Sequence, residues 1–315
     1  MASGSPPKRG LAILLYPGQP SAAALAAALA EIASLGATHV ALVVTWSQRD
    51  VASVRVARGD RTASDAQIRR AIRAAHTAGL GVLLFPIIAV AKTSAGEWRG
   101  TLQPADVDKW WSSYEELVLH CAGIAAAEGA EALSIGSELG TTEGWRYRWY
   151  HLISRVERVY DGTLIYSANW DHFEGVSFWR RLDSIGVTGY FELTDDRNAS
   201  EAELRRGWIK PRAALRELAA KRKKPLWLTE VGYPSRDGAA LHPWDYTSAT
   251  GTGDLDLEEQ RRCYAALRDT WAAVPELDAL FIWNWHGTGG RRDRDYTPRG
   301  KPAEKVLRGW WTGSR

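Results

Sequence analysis

The sequence predicts an α/β fold, a single (β/α)8 barrel of the TIM type. Short apolar runs alternate with longer amphipathic segments, the alternation occurs eight times, and no change of composition interrupts it along the 315 residues. Alternating strands and helices are typical of a parallel sheet, and eight such units close a barrel of about 250 residues. A doubly wound open sheet is the competing architecture, but residues 16–20 (YPGQP) lack its usual glycine-rich turn.

The predicted strands are short runs rich in apolar and β-branched residues, as buried parallel strands are. In chain order they cover residues 11–16, 38–46, 81–90, 131–138, 163–171, 184–192, 225–233 and 279–286. In a parallel barrel, functional residues are expected at the carboxyl ends of the strands.

Amphipathic segments of helical spacing separate the strands. The segment after the third strand carries its apolar stripe at Trp111, Tyr114, Val118, Cys121 and Ala125. The segment after the fourth strand carries one at Trp149, Leu152, Val156 and Val159. Glycines lie shortly before the next strands, where the end of a helix favours a residue that tolerates positive φ: Gly36, Gly79, Gly129 and Gly162. These signals predict helices between the strands.

Composition limits the class of protein. The net charge is +3, with 40 basic and 37 acidic residues intermixed, so a nucleic-acid partner is not expected. No run approaches the roughly 18 apolar residues of a membrane span. Cys121 and Cys263 lie in helical patterns, which excludes a disulfide framework, and the seven histidines lack metal-site spacing, so no metal is expected. Residues 1–10 are expected to form a flexible lead or an engineered remnant before a single domain of residues 11–315.

Aromatic residues are mostly amphipathic in this chain, with 16 Trp and 11 Tyr against 5 Phe. Flat rings with a polar edge suit the faces of sugars. Tryptophans in helical segments are predicted to pack in the core: Trp110, Trp145, Trp149, Trp179, Trp208, Trp271, Trp310 and Trp311. Aromatics at strand ends or in the following loops are predicted to contact a ligand, with packing under a loop as the alternative: Trp46, Trp98, Trp170, Trp244 and Tyr246.

Two glutamates end otherwise apolar strands on the predicted functional face. Glu138 ends the fourth strand (EALSIGSE), and Glu230 lies near the end of the seventh (PLWLTEVGY). Buried carboxyl groups that share a pocket can divide into an ion and a neutral acid, which is the pair needed for glycoside hydrolysis. Either glutamate alone could be a rim residue or a salt-bridge partner, but two at these strand ends favour catalysis.

Further polar residues end the fifth and eighth strands. Asn169 and Asp171 are predicted to hydrogen-bond hydroxyl groups, although Asp171 could instead cap a helix. His286 is the one histidine expected near the site. The long loop of residues 234–254 is predicted to be a binding element, with disorder as the alternative. The charged run of residues 289–301 is expected to be a solvated loop. It carries three arginines that could contact an anionic glycan: Arg291, Arg292 and Arg294.

Short motifs at successive strand ends resemble glycoside hydrolase family 113, the β-mannanase-like group within the clan of (β/α)8 retaining glycoside hydrolases. In chain order the motifs are Trp98-Arg99-Gly100, Gly136-Ser137-Glu138-Leu139, Ala168-Asn169-Trp170-Asp171, Gly189-Tyr190-Phe191, Thr229-Glu230-Val231-Gly232-Tyr233 and Trp283-Asn284-Trp285. Each motif is weak alone, and it is their order over nearly the whole chain that carries the resemblance.

The resemblance implies roles for individual residues. Glu138 would be the acid/base, Glu230 the nucleophile and Tyr190 a phenol near the nucleophile. One of two tryptophans would lie beneath the reacting sugar: Trp283 or Trp285. Further substrate contacts are expected within the motifs: Arg99, Ser137 and Tyr233. Much of the clan has asparagine directly before the acid/base, where this chain has Ser137, so transfer of its contact with the sugar 2-hydroxyl is in doubt.

The sequence therefore predicts a retaining glycoside hydrolase that needs no cofactor and acts on a β-linked glycan, by resemblance a β-1,4-mannan. Retention requires the two carboxyl groups to lie about 5–5.5 Å apart, whereas about 9 Å would indicate inversion. Glucan, chitosan-like and other bacterial polysaccharides are alternative substrates, and a non-hydrolysing glycan-binding barrel or a metal-dependent hydrolase are alternatives of other classes. We expect a monomer and, from the resemblance, a secreted or periplasmic protein.

Overall fold

Eight parallel strands form a closed barrel in chain order in the computed structural model, which describes residues 6–245 and 254–313. The strands are β1 (Lys8–Leu15), β2 (His39–Gln48), β3 (Gly81–Val90), β4 (Ala132–Ser137), β5 (Thr163–Ala168), β6 (Ile185–Thr188), β7 (Leu226–Val231) and β8 (Leu277–Ile282). The helices are α1 (Ala22–Ser34), α2 (Asp65–Thr77), α3 (Val107–Glu128), α4 (Arg146–Val156), α5 (Glu201–Gly207), α6 (Ile209–Arg222), α7 (Leu257–Trp271) and α8 (Pro302–Thr312). The predicted (β/α)8 barrel is confirmed.

Two compact units can be distinguished in the chain. The first unit contains Ile13–Ala30 and His39–Val187, and the second contains Met1–Ala12, Glu31–Thr38 and Thr188–Arg315.

In the first unit, aromatic packing joins the helices to the strands. Trp110 and Tyr114 of α3 stack with their ring centroids 5.2 Å apart, and Trp149 of α4 lies edge-on to Tyr166 of β5 at 5.3 Å. The apolar stripe predicted for α3 is buried throughout. The stripe predicted after the fourth strand is wrong at Val159, which is exposed because α4 ends three residues earlier, at Val156.

In the second unit, β8 pairs with both β7 and β1. The predicted start of the first strand at residue 11 is wrong, and β1 begins at Lys8 because residues 8–11 already pair with residues 279–282 of β8. The Lys8 ammonium forms a 2.8 Å ion pair with Asp278, which lets a charged residue begin a barrel strand. Residues 8–10 are therefore strand rather than lead.

Glycine serves two different purposes before the strands. Gly36, Gly79 and Gly129 have positive φ, as predicted. Gly162 does not. A Cβ atom there would lie 2.2 Å from the hydroxyl of Tyr160, so at that position the chain requires space rather than a left-handed backbone.

Most of the helical tryptophans form the core, as predicted. The fully buried ones are Trp110, Trp149, Trp179, Trp208 and Trp271. Both cysteines are buried free thiols. Among the described residues, none of the helices combines the length and the apolar character needed to cross a bilayer.

Candidate active site

In the first unit, Glu138 directly follows β4 with its backbone in the left-handed region. Its φ is +56°, a conformation that residues other than glycine rarely adopt and that is concentrated at functional sites. The pairing of β4 with β5 is irregular between Ser134 and Ser137, and the N–H of Glu138 donates to the Ser167 carbonyl at 2.8 Å. The local irregularity directs a carboxylate that is only 5% exposed.

Arg99 is the charged partner of Glu138. It begins a 3₁₀ turn, Arg99–Thr101, and its Nη2 donates to Oε2 of Glu138. The indole of Trp98 lies over Gly100, where an added Cβ would be 2.3 Å from the ring. The Trp98-Arg99-Gly100 motif therefore has a physical basis, because only glycine leaves room for the ring beside the arginine that reaches Glu138.

A buried polar network lies behind Glu138. The N–H of Leu139 donates to the Tyr166 hydroxyl at 2.8 Å, and this hydroxyl donates to Oε1 of Glu143 at 2.7 Å. His172 Nε2 lies 3.5 Å from the other oxygen of Glu143. The interaction with the Glu143 carboxylate raises the pKa of His172 to about 9, with Asp171 adding to the effect against the opposing effect of burial. Sequence reasoning missed Tyr166 and Glu143, because neither lies in a motif and their contact joins positions 23 residues apart.

The end of β5 presents the predicted Asn169, Trp170 and Asp171. Asn169 Nδ2 donates to Oδ1 of Asp171 at 2.9 Å, and the same oxygen contacts Nδ1 of His172. Asp171 is therefore a partner of its neighbours, and it does not cap a helix. Asn169 is 7% exposed, whereas the rings of Trp170 and Trp98 are partly accessible.

In the second unit, Glu230 lies in β7 and is 3% exposed. The Tyr190 hydroxyl donates to Oε2 of Glu230 at 3.2 Å, and the Gly189 N–H donates to the Glu230 carbonyl at 2.6 Å. A Cβ at Gly189 would lie 2.6 Å from the Val231 side chain. Glycine thus allows the segment after β6 to approach β7 closely, which places the Tyr190 phenol next to the Glu230 carboxylate.

The two tryptophans after β8 differ in their surroundings. Trp283 is 7% exposed, and its N–H donates to the Val231 carbonyl, next to Glu230, at 2.8 Å. The indole N–H of Trp285 instead donates to Glu31 of α1 at 3.0 Å. The polar edge of Trp285 therefore packs against α1, and its predicted substrate contact stays a prediction. His286 is exposed.

Two further residues predicted to contact substrate, Trp46 and Tyr233, are buried by packing in the structure. Tyr233 is fully buried, and its ring lies edge-on to Tyr264 of α7 with centroids 5.6 Å apart, so no substrate can reach it. Trp46 packs against His120 of α3 at 6.0 Å, with the Arg58 guanidinium 5.3 Å from its ring centroid. These contacts occupy the ring on the helix side of β2.

In the described parts of the loops after β7 and β8, charged groups contact several side chains. Trp244 is 44% exposed, and its indole N–H donates to Glu192 at 3.1 Å. Tyr246 lies outside the described residues. The run of residues 289–301 is not simply solvated, because the Lys301 side chain is fully buried and forms a 2.7 Å ion pair with Asp293. The neighbouring arginines have exposed side chains: Arg291, Arg292 and Arg294.

Among the described residues, one group of carboxylates is close enough to be tested as a metal site. Asp237, Asp256 and Glu259 have ligand atoms within 4.8 Å of one another. Asp237 pairs with Arg197, Asp256 caps the N-terminus of α7, and Glu259 accepts the N–H groups of residues 238 and 240. Each carboxylate thus has a structural partner, and we assign no metal to the group.

The chain is similar to one family of known proteins over most of its length. The model of Glycoside Hydrolase Family 113 matches residues 16–301. A GH113 β-mannanase from Alicyclobacillus acidocaldarius, solved in complex with ManMIm, is 29% identical, with a TM-score of 0.86 and 99% of each chain covered. A GH113 β-1,4-mannanase is 24% identical, with a TM-score of 0.84, covering 97% of this chain and 98% of that one. A GH5_18 protein from Streptomyces cattleya, at 17% identity, TM-score 0.64 and coverage of 99% and 82%, shares the fold. No curated protein matches the sequence.

Proposed function

Because the chain belongs to glycoside hydrolase family 113, and is therefore a glycoside hydrolase, we propose that it cleaves β-1,4-linked mannan with retention of configuration. The match of the family over residues 16–301 carries this proposal. The β-mannanases among its structural neighbours support the substrate.

The proposed mechanism uses two glutamates. Glu138 protonates the departing glycosidic oxygen while Glu230 attacks the anomeric carbon, and Glu138 then removes a proton from the water that releases the glycosyl-enzyme. Each residue lies at the carboxyl end of its own strand, where the functional residues of a parallel barrel are expected. Burial supports the assignment, because a water-poor environment strengthens the electrostatic interactions that stabilise the transition state.

Neighbouring groups support the assignment of Glu138 as acid/base and Glu230 as nucleophile. The hydrogen bond from Tyr190 orients the Glu230 carboxylate, which suits Glu230 to the role of nucleophile. Arg99 orients the Glu138 carboxylate. We assign Trp283 as the ring beneath the reacting sugar, since it is held beside Glu230 by the Val231 carbonyl. Trp98, Trp170 and Trp244 are the partly accessible rings proposed to contact sugar.

A second candidate substrate is another β-linked glycan. Ser137 favours this possibility, because its hydroxyl is shorter than the asparagine amide that contacts the 2-hydroxyl in much of the clan. Mannose and glucose differ only in the configuration of that hydroxyl group. The preference of the enzyme for mannose or glucose, which differ at the 2-hydroxyl, therefore requires its own measurement.

The test is a substrate screen with paired variants. Wild-type protein and the variants Glu138→Gln and Glu230→Gln are assayed for reducing ends on mannan, glucan, xylan and chitosan fragments, with Glu217→Gln on the exposed surface of α6 as a control. We expect mannan cleavage, a loss of at least about 10³-fold in kcat for both active-site variants, and no loss for the control. NMR of the first-formed anomer reports retention. Full activity in either active-site variant would refute the assignment, and cleavage of glucan but not mannan would transfer it to the second candidate.

A further inference from the structure

A continuous set of polar contacts joins a proposed sugar contact to the backbone beside Glu138. It passes from Asn169 through Asp171, His172, Glu143 and Tyr166 and ends at the N–H that follows Glu138. We propose that Tyr166, Glu143 and His172 are positioning residues that hold Glu138 where its carboxyl group can protonate the leaving group. The inference rests on the proposed role of Glu138 as acid/base.

The backbone of Glu138 is held on both sides. Its own N–H donates to the Ser167 carbonyl, and the next N–H, that of Leu139, donates to the Tyr166 hydroxyl. Between them lies the left-handed φ of +56°. A residue with a side chain keeps this conformation only when its surroundings enforce it, and the two hydrogen bonds do so. Loss of the Tyr166 acceptor would therefore release one of the two restraints.

The Tyr166 hydroxyl is itself fixed by a buried charge. It is fully buried, and it donates to Glu143, which is 3% exposed. A buried carboxylate requires a counter-charge or several donors. His172 supplies the counter-charge at 3.5 Å, and its pKa of about 9 makes it a cation at neutral pH. The orientation of the Tyr166 hydroxyl, with its lone pair toward Leu139, follows from this charge pair.

His172 also packs on the segment that carries Glu138. A Cβ at Gly140, two residues beyond Glu138, would lie 2.8 Å from Nε2 of His172 and 3.0 Å from the Gly100 carbonyl. Glycine at position 140 therefore lets the imidazole lie against this segment. The turn Arg99–Thr101 approaches the same glycine through the Gly100 carbonyl.

The experiment compares two leaving groups in the variant Tyr166→Phe, which keeps the ring and removes only the hydroxyl. A mannosyl leaving group needs a proton from Glu138, whereas 2,4-dinitrophenolate departs without one. The ratio kcat/KM reports bond cleavage in both cases. We expect Tyr166→Phe to lower kcat/KM on mannohexaose about tenfold and to leave 2,4-dinitrophenyl β-mannobioside within about twofold. Glu138→Gln should show a larger difference between the losses of kcat/KM on the two substrates.

The matched control is Tyr160→Phe, which removes a buried phenol whose hydroxyl donates to the Ala130 carbonyl at 2.8 Å, at the amino-terminal ends of β4 and β5. It should leave kcat/KM on both substrates unchanged. The positioning role would be overturned if Tyr166→Phe lowered kcat/KM equally on the two substrates, or lowered it on neither. This conclusion requires that Glu138→Gln still lose more kcat/KM on mannohexaose than on the dinitrophenyl substrate. Failure of the wild type to cleave either substrate, or of Glu138→Gln to separate them, would instead overturn the proposed function and the inference with it.

Discussion

Arg99 donates a hydrogen bond from Nη2 to Oε2 of Glu138, and this ion pair joins the turn after β3 to the residue that follows β4. The Glu138 side chain is 6% exposed and the Arg99 side chain 26%, so the pair is largely shielded from water. A buried ion pair adds little to the free energy of folding, because both charges lose their hydration. Its main effect here is to fix the orientation of the Glu138 carboxylate.

Replacing Arg99 should impair catalysis more than folding. Arg99→Met leaves a buried carboxylate without its partner, and we expect kcat/KM on mannohexaose to fall by about tenfold or more. Arg99→Lys should recover only part of the loss, since an ammonium lacks the planar fork of donors. The control is Arg49→Met, which removes an exposed ion pair with Asp50. Wild-type kcat/KM in Arg99→Met would show that the pair has no catalytic role.

Tyr190→Phe should slow the reaction of the nucleophile. It removes the 3.2 Å hydrogen bond to Glu230, and a hydrogen bond to a charged group contributes roughly 1.5–3 kcal/mol, so we expect kcat to fall about 10- to 100-fold. Steady-state kinetics on mannohexaose measure the change. Tyr264→Phe removes another fully buried phenol, in α7, and should keep wild-type kcat. A Tyr190→Phe enzyme as fast as that control would contradict the proposed contact.

The strands could be predicted because buried strands are short runs of apolar residues, which the local sequence shows directly. The predicted and observed bounds of β3 are identical, at residues 81–90. The start of β1 was missed because Lys8 and Arg9 are charged, and their pairing with β8 depends on closure of the barrel rather than on local sequence. Long-range pairing of this kind leaves no periodic signal.

The candidate site was predicted less completely than the strands. Glu138 and Glu230 were predicted to be the catalytic pair because each lies at the end of an apolar run. The direction in which an aromatic ring points could not be predicted from the sequence. Trp285 differs from Trp283 because its indole contacts Glu31, more than 250 positions away in the chain. Tyr166 and Glu143 were missed because a tyrosine within β5 and a glutamate in the segment after β4 resemble ordinary residues until the fold brings them together.

Lys301 should stabilise the loop after β8. Its fully buried ammonium pairs with Asp293 and also donates to the Ser235 hydroxyl at 2.8 Å, and burial lowers its pKa. Removing one partner of a buried pair leaves the other uncompensated, so we expect Lys301→Met to lower the free energy of unfolding by about 3 kcal/mol in urea titrations. Lys305→Met, four residues later and exposed, should change it by less than about 0.5 kcal/mol. Similar values for the two variants would contradict the structural role of Lys301.

His172 should make the stability of the protein depend on pH between about 6.5 and about 9. Its pKa is raised from 6.5 to about 9 in the folded state, chiefly by Glu143 and further by Asp171, so the folded state binds a proton that the unfolded state releases across this window. The stabilisation is complete below pH 6.5 and is lost as the pH rises through about 9. We expect the difference in Tm between the wild type and His172→Asn to shrink by about 2 °C from pH 6 to pH 10, a small change because the ring is partly exposed and water screens it. Glu143→Gln removes the carboxylate that contributes most to this raised pKa and should weaken the same pH dependence in differential scanning calorimetry. A Tm difference that is constant across the window in His172→Asn would show that His172 is not held as a cation by Glu143.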